Sequence, residues 1–93
     1  MSLQVEWTAQ FKKDYKNAMK RNFDIESLDN TIRLLANCEP LPENLKDHAL
    51  KGNLSGFREC HIAPDWLLIY AVRKNILTLT LFRTGSHSDL FGK

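Results

Sequence analysis

The chain has 93 residues, of which 43% are hydrophobic and 26% charged, so wholesale disorder is excluded and a single domain over residues 1–93 is expected. Thirteen Lys/Arg against eleven Asp/Glu leave a net charge of +2, too mild to announce a protein that grips nucleic acid by charge alone. Cys38 and Cys60 form no CxxC pair, and no apolar run reaches the ~18 residues of a membrane span, which argues against a disulfide framework, a zinc module and a membrane helix.

Residues 3–7 alternate apolar and polar, which predicts a short strand. Thr8 is placed to cap a helix whose apolar face is Phe11, Tyr15, Ala18 and Met19, with Lys12, Lys13, Lys16 and Lys20 around the rest. Asn22-Phe23-Asp24 breaks that pattern, and Asp24 caps a second helix with the stripe Ile25, Leu28, Ile32 and Leu35. Pro40 and Pro42 forbid its continuation. Phe57 to Ile62 predicts a strand with Phe57, Glu59 and His61 on one face and Arg58, Cys60 and Ile62 on the other. After the Ala63-Pro64-Asp65 turn, Trp66 to Val72 is nearly all apolar and predicts a central strand buried on both faces. Lys74-Asn75 predicts a tight hairpin turn into a last strand over residues 76–82, with Leu77, Leu79 and Leu81 on one face. Residues 86–91 have room for a single helical turn.

The order is therefore β-α-α-β-β-β. Short connections between the last three strands imply an antiparallel meander, and two amphipathic helices need one of its faces. The expected fold class is α+β: a two-layer domain with a helical hairpin packed on an antiparallel sheet. The second sheet face is left for a site.

Chemistry concentrates in the second half. Residues 1–45 hold six basic and seven acidic residues, whereas residues 46–93 hold seven basic and four acidic ones together with His48, His61 and His87. Arg83 has the parity of the core leucines, so it must lie past the core edge, follow a bulge or occupy a paired site, since an unpaired guanidinium in the core is very costly. Gly85 permits a reversal that can bring Arg83, His87 and Phe91 together. Phe91 can serve as a stacking platform or as a cover for the core. Asp65 and His61 flank the Pro64 turn, so Asp65 can orient that imidazole or cap the turn. His48 sits in a polar approach to Leu50. None of the histidine spacings resembles a metal motif, and no P-loop, dinucleotide glycine motif or GxSxG elbow occurs, so neither a metal nor a cofactor is expected. Histidines, an arginine, a carboxylate and an aromatic are the parts that metal-free phosphodiester cleavage needs: a base for the ribose 2′-hydroxyl, a cation for the phosphorane, an acid for the leaving 5′-oxygen and a face for a splayed base.

Three ordered blocks carry a resemblance: Lys46-Asp47-His48-Ala49-Leu50-Lys51-Gly52, then residues 57–70 (FRECHIAPDWLLIY), then residues 83–91 (RTGSHSDLF). In order and spacing they resemble the YafQ-like branch of the RelE toxin superfamily. The resemblance implies a RelE-like fold and a bacterial type II toxin, a cytoplasmic mRNA interferase cutting codons in the ribosomal A site without a metal or cofactor. It implies functional roles for His48, His61, Asp65, Arg83, His87 and Phe91, with Lys51 and Arg58 expected among the substrate contacts. On that reading His87 is the general acid and Arg83 stabilises the phosphorane. The base is His48 or His61, the latter held by Asp65, and Phe91 positions the nucleotide. Trp66 matches as well, but its apolar run points to packing. Leu54 and Ser55 depart from the aromatic and basic residues common among relatives. The implied partners are the ribosome with its message and a cognate antitoxin, whose disordered segment wraps the toxin and whose dimer binds operator DNA. No membrane contact, and no direct DNA contact by the toxin alone, is expected. The alternatives are a ParE-like gyrase poison and a non-catalytic, antitoxin-binding corepressor of the same fold.

Overall fold

A computed structural model of the chain describes residues 2–92. Strand β1 (Gln4–Trp7) leads into helix α1 (Ala9–Lys20), capped as expected by Thr8, whose hydroxyl accepts from the Phe11 N–H at 3.0 Å. Asp24 accepts from the Ser27 N–H to start α2 (Ile25–Ala36). Two single 3₁₀ turns (Glu43–Leu45 and Gly52–Leu54) bracket a two-residue strand β2 (His48–Ala49). Then come β3 (Arg58–Ala63), β4 (Trp66–Arg73), β5 (Thr78–Gly85) and a five-residue helix α3 (His87–Phe91).

The α+β two-layer expectation holds, with two corrections to the sheet. It has five strands in the order β1-β5-β4-β3-β2, because the polar approach to Leu50 contains β2, too short to leave a periodic signal. The sheet is also mixed. The last four strands form an antiparallel meander, but β1 pairs parallel with β5, Gln4 opposite Thr78 and Trp7 opposite Leu81. The intervening chain carries β1 to the far edge by a long crossover, the kind of connection parallel pairing requires.

Helices α1 and α2 cover one sheet face. Phe11, Ala18, Leu28 and Leu35 interlock there with Cys60, Trp66, Leu68, Tyr70, Leu79 and Leu81. The alternation of β4 sends Leu67 and Ile69 to the opposite face, where they are also fully buried, as a strand apolar on both sides requires. Two residues of the predicted apolar faces lie outside this core. Met19 is 52% exposed, and the neighbouring buried position of α1 is taken by Asp14. Leu77 is 47% exposed, because Lys74–Ile76 form a 3₁₀ turn and Leu77 closes it at φ +50°, which delays β5 to Thr78.

Candidate active site

The free sheet face carries the histidines. Cross-strand pairing sets His48 of β2 opposite Glu59 of β3, and period-two alternation puts His61 beside Glu59. The Nε2 atoms of His48 and His61 lie 3.4 and 3.6 Å from the same Glu59 oxygen. Glu59 is only 6% exposed, and either imidazole pairs with it as an ion only when that ring carries a proton on Nε2. His48 donates from Nδ1 to the Lys46 carbonyl at 2.7 Å, which leaves Nε2 as the nitrogen with a lone pair when the ring is neutral.

His87 opens α3, and Asp65 closes the β3–β4 turn. The Asp65 carboxylate accepts both the His87 backbone N–H (3.0 Å) and Nδ1–H (2.6 Å) on one oxygen. These bonds hold the Asp65 carboxyl below the usual carboxylate range. The three rings form a row, with centroids 6.2 Å apart from His48 to His61 and 6.0 Å from His61 to His87. Asp65 therefore holds His87, not His61. The carboxylate beside His61 is Glu59, which sequence reasoning left out of the site although its parity with His61 marked the correct face. Leu67 and Ile69 are the β4 cross-strand partners of His61 and Glu59, and the rings of Phe57 and Phe82 pack against each other at a tilt, centroids 4.6 Å apart.

The remaining expected residues fall elsewhere. By register Arg83 stands opposite Ile69, after a bulge that leaves Phe82 without a partner. Its guanidinium does not join the histidines: Nε donates to Asp14 Oδ2 at 2.8 Å and Nη2 to Oδ1 at 3.2 Å. Phe91 ends α3, 41% exposed. Arg58, expected among the substrate contacts, lies on the Cys60–Tyr70 side of β3, and its Nε and Nη2 donate to the Asp47 carboxylate, which also accepts from the Tyr70 hydroxyl. Lys51 is exposed just beyond β2. Trp66 is buried and donates to the Thr84 hydroxyl at 2.9 Å, a packing role. Burial pushes the Cys60 thiol up to about 12, which removes it from nucleophilic chemistry.

His48, Glu59 and His61 also make a donor set for a cation, their candidate ligand atoms lying within 4.8 Å of one another. No helix among the described residues is long and apolar enough to cross a membrane.

A family model described as the bacterial toxin of a type II toxin-antitoxin system, YafQ, matches residues 3–92. The chain belongs to the YafQ toxin family. It is similar to the mRNA interferase toxin YafQ of Escherichia coli K12, with 43% identity over 89 residues and 95% of each chain covered. The YafQ of an E. coli DinJ-YafQ toxin-antitoxin complex superposes with a TM-score of 0.89 at 41% identity, over 99% of this chain and 100% of the other. A metal-bound toxin from Helicobacter pylori superposes with a TM-score of 0.90 at 47% identity, over 96% and 99%. The two-layer architecture is thus the RelE-like fold expected of a YafQ toxin.

Proposed function

We propose that this YafQ-family protein is a cytoplasmic mRNA interferase that cuts mRNA in the ribosomal A site by metal-independent attack of the ribose 2′-hydroxyl on the adjacent phosphate. The observation that carries the reading is the row of three imidazoles, each with a defined polar partner, on one sheet face. Neutral His48 presents Nε2 as a general base for the 2′-hydroxyl, or His61 does so from beside the same carboxylate. Glu59 stabilises the imidazolium that results. The 2′-oxygen bonds to phosphorus, Arg83 neutralises the crowded phosphorane, and the bond to the 5′-oxygen breaks. His87, fixed through Nδ1 by ionised Asp65, delivers its Nε2 proton to that leaving oxygen. The products are a 2′,3′-cyclic phosphate and a 5′-hydroxyl. Phe91 supplies a stacking face at the end of α3, and Lys51 a cation near the row. No metal step is needed, and a cation held by His48, Glu59 and His61 would occupy the candidate bases.

The family and the complex formed by its E. coli relative support a cognate antitoxin as partner. An acidic, disordered antitoxin segment suits the basic second half of the chain. DNA contact in such a complex belongs to the antitoxin.

Primer extension on ribosome-bound message after toxin induction tests this. We expect A-site cuts that fall about 10²–10⁴-fold for His87→Ala, the range for loss of a general acid. Unchanged cutting by a folded His87→Ala protein overturns the assignment. DNA damage without cuts would indicate a gyrase poison, and neither effect a silent corepressor.

A further inference from the structure

We propose that Asp14 is a positioning residue that parks Arg83 on α1, competing with the scissile phosphate for the guanidinium until RNA is seated. This rests on the reading of Arg83 as the cation of the phosphorane.

The register supplies the first part. His48, Glu59, Ile69 and Arg83 are successive cross-strand partners from β2 to β5, so they form one row. With strands ~4.8 Å apart, the Arg83 backbone stands two strands, or roughly 10 Å, from that of Glu59. The side chain is rooted in the histidine row, yet its head is on the opposite layer. The route is open because β1 ends at Trp7, opposite Leu81, so β5 beyond that point has no strand partner on the edge facing α1. Asp14 caps this edge, accepting the Thr84 N–H at 3.1 Å as well as the Arg83 fork.

Chemistry supplies the second part. The Asp14 pair uses the Nε–Nη2 edge, which is also an edge that binds two phosphate oxygens side by side. Carboxylate and phosphate therefore exclude one another there. Release is feasible because the two partners differ in burial: the Arg83 side chain is 28% exposed and that of Asp14 only 6%. When Arg83 leaves, Asp14 keeps two donors, the Thr84 N–H and the Gln10 side-chain amide at 3.1 Å, so no buried charge is orphaned.

The test is single-turnover cleavage of message in the ribosomal A site, read as the toxin concentration at half-maximal rate and as the maximal rate. If Arg83 is parked for roughly nine-tenths of the time, Asp14→Asn lowers the half-saturating concentration by about tenfold and leaves the maximal rate within about twofold. Asp14→Glu, which restores the carboxylate, returns it towards the parent value. Asp14→Ser, a smaller uncharged side chain, repeats the Asn result should that variant melt early. In an Arg83→Ala background the Asp14 effect disappears. A half-saturating concentration that is unchanged or raised in both the Asn and the Ser variants overturns the parking role. Parent-like cleavage by Arg83→Ala alone overturns the reading of Arg83 instead, so the two failures are distinct.

Discussion

Glu59 shows how a single buried carboxylate organises this site. Its Oε1 faces Nε2 atoms of two histidines, and a buried anion demands such partners. When either imidazole takes a proton, the adjacent Glu59 carboxylate stands as its countercharge. Glu59→Gln keeps the shape and removes the charge. The expected result is a cleavage rate lower by about 10–100-fold at unchanged ribosome affinity, measured by single-turnover assays beside a binding assay. The alternation of Phe57, Glu59 and His61 was legible in the sequence, and with it the face that the site occupies. The pairings were not. Asp65 lies four residues from His61 but 22 from His87, and it binds the distant one. Nor does anything local show that Arg58 pairs with Asp47, 11 residues away across β2.

Helix α3 is too short to hold itself, since five residues barely exceed the costly first turn. It is fastened from outside. Ser86 and Asp89 form a capping box, Arg21 of the α1–α2 connection binds Asp89 at 2.7 Å, and Asp65 binds His87. Gly85 makes room for this: a Cβ there would meet Asp89 Cβ at 3.0 Å. Both carboxyls, Asp65 and Asp89, are held below the usual carboxylate range in the fold, the first by hydrogen bonds from His87 and the second by those from Ser86 and Arg21. A depressed carboxyl stabilises the folded state above its unfolded value and loses that contribution as pH falls through its folded one. The attachment of α3 is thus expected to persist in mild acid and to loosen only as pH falls below the ordinary carboxylate range. Amide shifts of Ser86 to Leu90 against pH check this, and loss of the helix near pH 5 would contradict it. The turn itself was visible in the spacing of Gly85 and Ser86, but its tethers were not. Strand β2 escaped for a related reason: two residues carry no period, and only pairing with Arg58 and Glu59 makes them a strand.

Across the whole molecule, period-based reading found both helices and the β3–β5 meander, because each buries a continuous stripe. It missed the parallel β1–β5 edge, since residues 74 positions apart leave no local trace of their pairing. Phe11 joins the layers. It is fully buried, meets Trp7 edge-on at 4.9 Å and packs within the helix–sheet core. Phe11→Ala is expected to cost about 3–5 kcal/mol, a large share of the ~5–15 kcal/mol of a typical domain, read as a lower urea midpoint. A shift below about 1 kcal/mol would mean that the layers are joined elsewhere. The same parallel edge sets a timetable. β1 leaves the ribosome first, but the strand it pairs with is made 74 residues later, roughly 4–15 s at ordinary rates of synthesis. Throughout that interval the sheet lacks both its closing strand and the helix bearing His87. The histidine row is therefore incomplete until β5 and α3, the last of the described elements in chain order, have been made and have joined the strands before them.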